Sequence, residues 1–156
     1  MDAFALNTVI ESETVQYIVI GIGDEQYGID IKYVDNIVRM QKITRVPNVQ
    51  YYFDGVINLR GEVVPVMSLR RKVGLEDVEE TNKSRIIIIK MENNAPIGIV
   101  VDAVKEVVTL QVDKIEPVSK NSKNGKAVYI NGIGKSGDSL ISLLDLTAVI
   151  GDKEVQ

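Results

Sequence analysis

The stretch that decides the fold runs from Gly55 to Gly74, GVINLRGEVVPVMSLRRKVG, and a degenerate copy of it, GIGKSGDSLISLLDLTAVIG, runs from Gly132 to Gly151. Each copy reads as two apolar strands around a tight turn, followed by a short helix. In the first copy the turn falls at Arg60 to Glu62, Ser68 is a candidate N-cap, and Gly74 is a candidate helix stop. The chain is therefore predicted to contain an internal duplication.

A second, weaker similarity lies upstream of each copy, at an offset of about 70 residues rather than 77. One insertion explains the difference between the two offsets. Its matching residues are Gly28, Ile29, Asp30 and Val34 in the first half and Gly98, Ile99, Asp102 and Val104 in the second. A two-fold repeat in a chain of 156 residues predicts two similar small subdomains that share one core. Such an arrangement leaves a groove between them.

The composition favours strands. Valine and isoleucine make up 43 residues, against 15 for leucine plus alanine, and β-branched side chains suit a pleated, half-buried surface. We expect a hairpin over Val15 to Ile31, one helical turn within Lys32 to Val38, and a strand over Ala127 to Ile133. Each half would contribute about five short strands and a capping helix, so we predict two small barrels that share strands or pack edge to edge around a shared core.

Composition also excludes several classes of function. The chain has no cysteine and no histidine, which removes thiolate chemistry and the usual metal-binding motifs, so we expect no metal and no cofactor. A net charge of −4 argues against nucleic-acid binding, which needs a concentrated basic surface. The longest apolar run, Ile86 to Ile89, is far too short to cross a bilayer, so we expect a cytoplasmic protein without membrane insertion.

Catalytic patterns are weak throughout. The GKS at Gly134 to Ser136 lacks the glycine that a phosphate loop needs five residues earlier, where Tyr129 stands. Acidic pairs such as Asp24 with Glu25 lie at expected turns, where solvated carboxylates are ordinary, and no nucleophile or base completes a site. We therefore expect no catalytic residues. An enzyme or small-ligand-binding protein that uses the cleft between the barrels remains the alternative.

Arg60 has two interpretations. A cation in a turn between two hydrophobic strands is commonly solvated and without function. The alternative is partner recognition, because arginine pairs with carboxylates, stacks on aromatic rings and is enriched at binding hot spots.

Three segments carry a resemblance to a known family: GDEQYGIDIKYVDNI from Gly23, GVINLRGEVVPVMSLR from Gly55 and PIGIVVDAVKEVVTL from Pro96. In this order and spacing they resemble the CheW-like family of chemotaxis proteins. The resemblance implies two five-stranded SH3-like barrels around a common core. It places one CheW-like domain at residues 15–151, with a first subdomain at about 28–83 and a second at about 15–27 and 84–151. Residues 1–14 and 152–156 are expected to be tails.

For that family, the resemblance implies a non-catalytic adaptor that joins the cytoplasmic tip of transmembrane chemoreceptors to the regulatory domain of the histidine kinase CheA. Such an adaptor would be recruited to receptor clusters at the inner face of the membrane. The receptor tip is a helical hairpin, which suits docking in an apolar groove. The receptor-binding residues carried over to this chain are Val34, Asn36, Gly55, Arg60, Val104 and Val107. The kinase-binding candidates are Met40, Ile43, Arg45 and Val46.

The chain departs from the family pattern at Asn36, where relatives commonly carry a glutamate that pairs with the arginine at position 60. That salt bridge cannot form here. We therefore expect Arg60 to act directly on the receptor.

Overall fold

The computed structural model of the protein describes residues 13–92, 94–118 and 125–151. The two predicted tails lie outside these residues, apart from positions 13 and 14. The strands are β1 (Thr14–Ile22), β2 (Glu25–Asp30), β3 (Val34–Arg39), β4 (Phe53–Leu59), β5 (Glu62–Ser68), β6 (Arg85–Ile89), β7 (Ile97–Val101), β8 (Ala103–Gln111), β9 (Glu116–Pro117), β10 (Ile130–Ser136) and β11 (Ser139–Leu144). The helices are α1 (Leu69–Lys72) and α2 (Leu146–Ile150), and 3-10 turns occupy Ile31–Tyr33, Val112–Lys114 and Gly125–Tyr129.

The described strands form two sheets, which confirms the mostly β fold. One sheet has the order β3-β6-β7-β5-β4, and the other has the order β8-β1-β2-β11-β10-β9. The second sheet has six strands rather than five because the two-residue β9 pairs with β10. Each sheet contains one parallel contact, β5 with β7 and β2 with β11, while the other strand pairs are antiparallel.

The two halves of the chain exchange their leading hairpins. Strands β1 and β2 complete the sheet of β8, β10 and β11, and strands β6 and β7 complete the sheet of β3, β4 and β5. The sequence-based boundary of the first subdomain, 28–83, is therefore corrected to about 34–101, because β6 and β7 pair within that sheet. The chain crosses between the sheets at Ile31–Tyr33 and again at Asp102.

The five-stranded sheet closes on itself through a bridge between Thr44 and Val56, which exchange two backbone hydrogen bonds of 2.8 Å. Gly55 makes this contact possible, because its φ is +142° and a Cβ there would lie against the Thr44 carbonyl oxygen. The pairing of Glu116 with Ile133 is the equivalent bridge in the other sheet. Both sheets are thus small, nearly closed barrels.

Buried side chains of the described residues form three hydrophobic clusters. The largest lies between the barrels and takes Ile20 and Ile29 from one sheet and Ile87 and Ile99 from the other, all fully buried. We call this the shared core, and it confirms the predicted arrangement. A second cluster fills the five-stranded barrel around Ile86 and Ile88, and a third fills the six-stranded barrel around Val19, Leu110, Ile141 and Leu143.

The short helices close equivalent positions of the two halves. The Ser68 side chain accepts a hydrogen bond from the Arg71 N–H, and the Asp145 side chain accepts one from the Ala148 N–H, so the cap predicted at Ser68 is confirmed. The strand predicted over Ala127 to Ile133 is corrected, since a 3-10 turn precedes β10 and the strand begins at Ile130.

Candidate functional site

Two of the predicted groove residues face the shared core from opposite barrels. Val34 pairs with Ile89 across β3 and β6, and Val104 pairs with Ile20 across β8 and β1. Paired residues share a face of a sheet, and both isoleucines belong to the shared core. Val34 and Val104 are half-buried and pack against that core, so they lie at its margin.

Val107 lies farther along the same face of β8, opposite Ile18 of the shared core, with half of its surface exposed. Ile37 holds the corresponding place on β3, opposite Ile87, and is 37% exposed. The resemblance supplied Val107 as a candidate but not Ile37. The signal that could have found it is the 70-residue offset, which relates Ile37 to Val107 as it relates Val34 to Val104.

Asn36 lies on the other face of β3. Its partner Ile88 belongs to the core of the five-stranded barrel, so the Asn36 side chain is directed toward the barrel interior. Its Oδ1 is buried, and among the described residues it has no hydrogen-bond donor. An unsatisfied buried amide oxygen costs about 1–3 kcal/mol, so Asn36 is a polar residue at a position that favours an apolar one.

Arg60 occupies the β4–β5 turn with a φ of +52°, a left-handed conformation that costs free energy for any residue with a Cβ. The Asn58 side chain accepts a hydrogen bond from the Gly61 N–H and helps to hold the turn. Arg60 is exposed, and no acidic side chain in the described ranges lies within ion-pair distance of it.

Gly55 is buried, and its contact with the backbone of Thr44 and Arg45 gives it a structural role in closing the barrel. The loop that it supports carries the four kinase-binding candidates. Met40 and Ile43 are half-buried against the core of the five-stranded barrel, whereas Arg45 and Val46 are exposed. Met40 and Ile43 therefore lie against a different hydrophobic cluster from Val34 and Val104.

A polar contact fastens the two barrels together where the chain crosses at Asp102. The Arg70 guanidinium of α1 donates to both carboxylate oxygens of Asp102, with Nε 3.0 Å from Oδ1 and Nη2 2.9 Å from Oδ2. The Gly23 N–H of the β1–β2 turn donates to the same Oδ2 at 2.8 Å. Burial alone would raise the pKa of Asp102, but the Arg70 and Gly23 hydrogen bonds lower it below 3.8. Sequence reasoning assigned no role to this cluster.

The neighbouring Arg71 holds the chain that follows α1. Its Nε donates to Asp77 at 2.8 Å, and its Nη1 lies 3.0 Å from the Asp54 carboxylate. Burial raises the pKa of Asp54 despite that ion pair. A cavity of about 230 Å³ beside these groups is lined also by Met40 and Ile43. Arg70 and Arg71 pair with three carboxylates of its lining, and Glu79 and Glu80 add two more acidic groups, so the lining carries a net negative charge.

In the part of the chain that the structure describes, no helix is long and apolar enough to cross a membrane.

Together, the two sheets packed around one shared core define a mostly β, two-barrel fold with partly exposed apolar side chains at the margin of that core. The CheW-like domain family matches residues 16–154 of this chain. The chain is 38% identical to the chemotaxis protein CheW of Bacillus subtilis (strain 168) over 137 residues, which cover 88% of this chain and 86% of that protein. It is 35% identical to the chemotaxis protein CheW of Helicobacter pylori over 139 residues, which cover 88% and 82%.

Among solved structures, the scaffolding protein CheW from Thermoanaerobacter tengcongensis superposes with a TM-score of 0.81 at 30% identity. The match covers 90% of this chain and 94% of that one. The chain belongs to the CheW-like family, a family of non-catalytic chemotaxis scaffold proteins.

Proposed function

We propose that this protein couples chemoreceptors to the histidine kinase CheA and changes kinase activity through protein contacts alone. The observation that carries the proposal is that receptor-binding and kinase-binding candidates pack against different hydrophobic clusters. Val34 and Val104 border the shared core, whereas Met40 and Ile43 cap the core of one barrel. A scaffold that binds two partners at once needs two such surfaces.

The receptor surface is the margin of the shared core. Val34, Val104 and Val107 present aliphatic side chains on two edge strands, and burying such side chains stabilises a complex by about 25 cal/mol for each Å² of apolar surface removed from water. Arg60 adds a cation without an acidic partner among the described residues. These features suit an amphipathic helix that carries a carboxylate.

The kinase surface is the loop after β3. Exposed Arg45 and Val46 extend from a segment that the Thr44–Val56 bridge holds in place, so its shape is set before binding. Preorganisation of this kind lowers the entropic cost of association. The regulatory domain of CheA is the proposed partner here, and recruitment to receptor clusters at the membrane follows from both contacts.

The proposal is tested by calorimetric titration with the regulatory domain of the cognate CheA and, separately, with a soluble receptor-tip fragment. We expect Val104→Asp to weaken only the receptor titration and Arg45→Glu to weaken only the kinase titration. Loss of both interactions in both variants would indicate unfolding, which circular dichroism detects. Unchanged binding of both partners by both folded variants would refute the assigned surfaces.

A further inference from the structure

Lys72, the last residue of α1, is a buried cation that contacts both barrels. Only 8% of its surface is exposed. Its Nζ lies 3.8 Å from the centre of the Tyr52 ring and 5.5 Å from the centre of the Tyr129 ring. Both distances are within the range of a cation–π interaction, which is stronger when the cation is removed from water. Tyr52 directly precedes β4 of the five-stranded barrel, and Tyr129 directly precedes β10 of the six-stranded one, so one ammonium group connects the two.

The internal repeat makes the two tyrosines equivalent. They are 77 residues apart, which is the offset of the repeat. The Tyr52 carbonyl accepts a hydrogen bond of 2.7 Å from the Ser68 N–H, and the Tyr129 carbonyl accepts one of 2.8 Å from the Asp145 N–H. Each tyrosine therefore holds the beginning of the capping helix of its own half. Lys72 contacts two copies of the same structural position.

The residue that the repeat places at the position of Lys72 in the second half carries no charge. It is Val149 of α2, which is fully buried in the shared core. Burying an ammonium group costs free energy that burying an aliphatic side chain does not, because the ammonium loses its hydration. Stability alone therefore does not explain a lysine at a position that accommodates valine in the other half. A buried cation that is satisfied only by particular groups instead favours one arrangement of those groups.

Helix α1 carries a second cation that reaches out of its own barrel. Arg70, two residues before Lys72, donates hydrogen bonds to Asp102 at the crossing between the barrels. None of the residues of α2 is charged. One turn of helix in the first half thus makes both of these contacts, and the equivalent turn in the second half makes neither.

We propose that Lys72 is a positioning residue that fixes the angle between the two barrels through the Tyr52 and Tyr129 rings. Together with Arg70, it makes α1 a clasp between the barrels. The angle is a property of the free protein, so its test does not depend on the proposed partners. A scaffold that uses both barrels gains from a fixed angle, because preorganisation lowers the entropic cost of association.

The test measures the distance between the barrels by electron–electron double resonance of two spin labels. The chain has no cysteine, so Val63→Cys and Leu140→Cys together place one label on each barrel. These side chains are 66% and 65% exposed and occupy equivalent positions of β5 and β11. We expect Lys72→Met to broaden the distance distribution about twofold, because methionine fills the space without holding the two rings in one orientation.

Two variants control for the loss of a lysine. Lys72→Arg is expected to keep the wild-type width, since a guanidinium also stacks on aromatic rings. Lys32→Met is the matched control, because the Lys32 Nζ lies 5.1 Å from the centre of the Tyr33 ring but its side chain is 66% exposed and the contact is local. It should leave the distribution unchanged. Tyr129→Leu replaces Lys72→Met if circular dichroism shows that the methionine variant does not fold, and it should broaden the distribution to the same extent.

A broadened distribution in Lys72→Met or Tyr129→Leu, with wild-type widths in Lys72→Arg and Lys32→Met, supports the inference. A lower melting temperature of Lys72→Met with an unchanged distribution would make Lys72 a stabilising residue only and would overturn it. Equal broadening in Lys72→Arg would show that the charge does not set the angle, which also overturns the inference. Equal broadening in Lys32→Met would overturn it as well, since the effect would not be specific to the buried cation.

Discussion

Arg70 of α1 forms a two-point contact with Asp102, the residue at which the chain passes from the five-stranded barrel to the six-stranded one. The same carboxylate accepts the Gly23 N–H, so three segments far apart in sequence meet at one side chain. At the other crossing, Asp30 accepts a hydrogen bond from the nearby Lys32 N–H. The two crossings are equivalent in the repeat, but the hydrogen bonds at Asp102 join distant segments whereas the one at Asp30 is local.

Arg70→Ala is expected to destabilise the fold by about 2 kcal/mol, because it leaves a partly buried carboxylate with one hydrogen-bond donor instead of three. Lys32→Ala is the control, since the Lys32 ammonium is exposed and 3.9 Å from Asp30, a pair expected to contribute less than about 1 kcal/mol. Urea denaturation of both variants checks the difference. Equal stabilities would show that the Arg70 contact does not hold the barrels together.

The pH dependence of stability is expected to identify Asp102. Burial raises its pKa, but the Arg70 and Gly23 hydrogen bonds bring the folded-state pKa below the ordinary 3.8. A depressed folded-state pKa stabilises the protein above pH 3.8, and the stabilisation is lost as the pH falls through the folded-state value. The difference in unfolding free energy between the wild type and Asp102→Asn should therefore be constant near neutral pH and shrink below pH 3.8.

Asp54 provides the opposite case for the same experiment. Burial raises its pKa above 3.8 in spite of Arg71, so folding favours its protonated form. The unfolding free energy of the wild type, relative to that of Asp54→Asn, should therefore increase as the pH falls through the folded-state pKa of Asp54. If the difference in unfolding free energy between the wild type and Asp54→Asn instead changed with pH in the same direction as the Asp102→Asn difference, this account of both sites would be contradicted.

Gly55→Ala is expected to be among the most destabilising single methyl additions. Its Cβ would meet the backbone of Thr44, and its φ of +142° is a conformation that other residues rarely adopt. Steric strain and backbone strain together predict a loss of about 3 kcal/mol or more. Gly61→Ala is the control, because φ there is +84° and the added methyl meets no described atom within 4 Å, so only about 1 kcal/mol of backbone strain is expected.

Hydrogen exchange locates the effect of the Gly55 substitution. The amides of Thr44 and Val56 form the bridge that closes the barrel, and both should exchange faster in Gly55→Ala than in Gly61→Ala. The proposed kinase-binding loop, Met40 to Val46, contains Thr44, so affinity for the CheA domain should fall with the loss of protection. Protected amides in a folded Gly55→Ala variant would show that the bridge does not depend on this glycine.

Arg60→Gly is expected to raise stability and lower receptor affinity at the same time. The left-handed backbone at Arg60 costs about 1 kcal/mol that glycine does not incur, and the equivalent turn residue, Gly137, is a glycine with a φ of +60°. Asn48→Gly relieves a similar φ of +64° outside the proposed groove and should leave receptor binding unchanged. Thermal melts and receptor titrations of both variants separate strain from recognition. Unchanged receptor affinity in Arg60→Gly would remove Arg60 from the surface.

The elements that the sequence predicts well are those determined by neighbouring residues. The turn at Arg60, the cap at Ser68 and the hairpin of β1 and β2 depend on local propensities and short-range hydrogen bonds. The internal repeat also predicts the shared core, because two similar barrels bury their apolar faces most simply against each other.

The exchange of hairpins could not be predicted from local patterns. The run from Ile86 to Ile89 is buried on both faces, so its composition does not indicate which sheet it joins. The decisive contacts, such as Val66 with Gly98 and Tyr27 with Ser142, are parallel pairings between distant segments. The Arg70–Asp102 contact was missed for the same reason, since it depends on this long-range pairing.

The most direct test of the central claim is sedimentation velocity on a mixture of this protein, the CheA regulatory domain and the receptor-tip fragment. If the margin of the shared core and the loop at Met40 to Val46 are separate surfaces, all three components should sediment as one complex. Val107→Asp should then leave a complex of this protein with CheA alone, and Arg45→Glu should leave one with the receptor alone. Two binary complexes that compete, without a ternary species, would contradict the account.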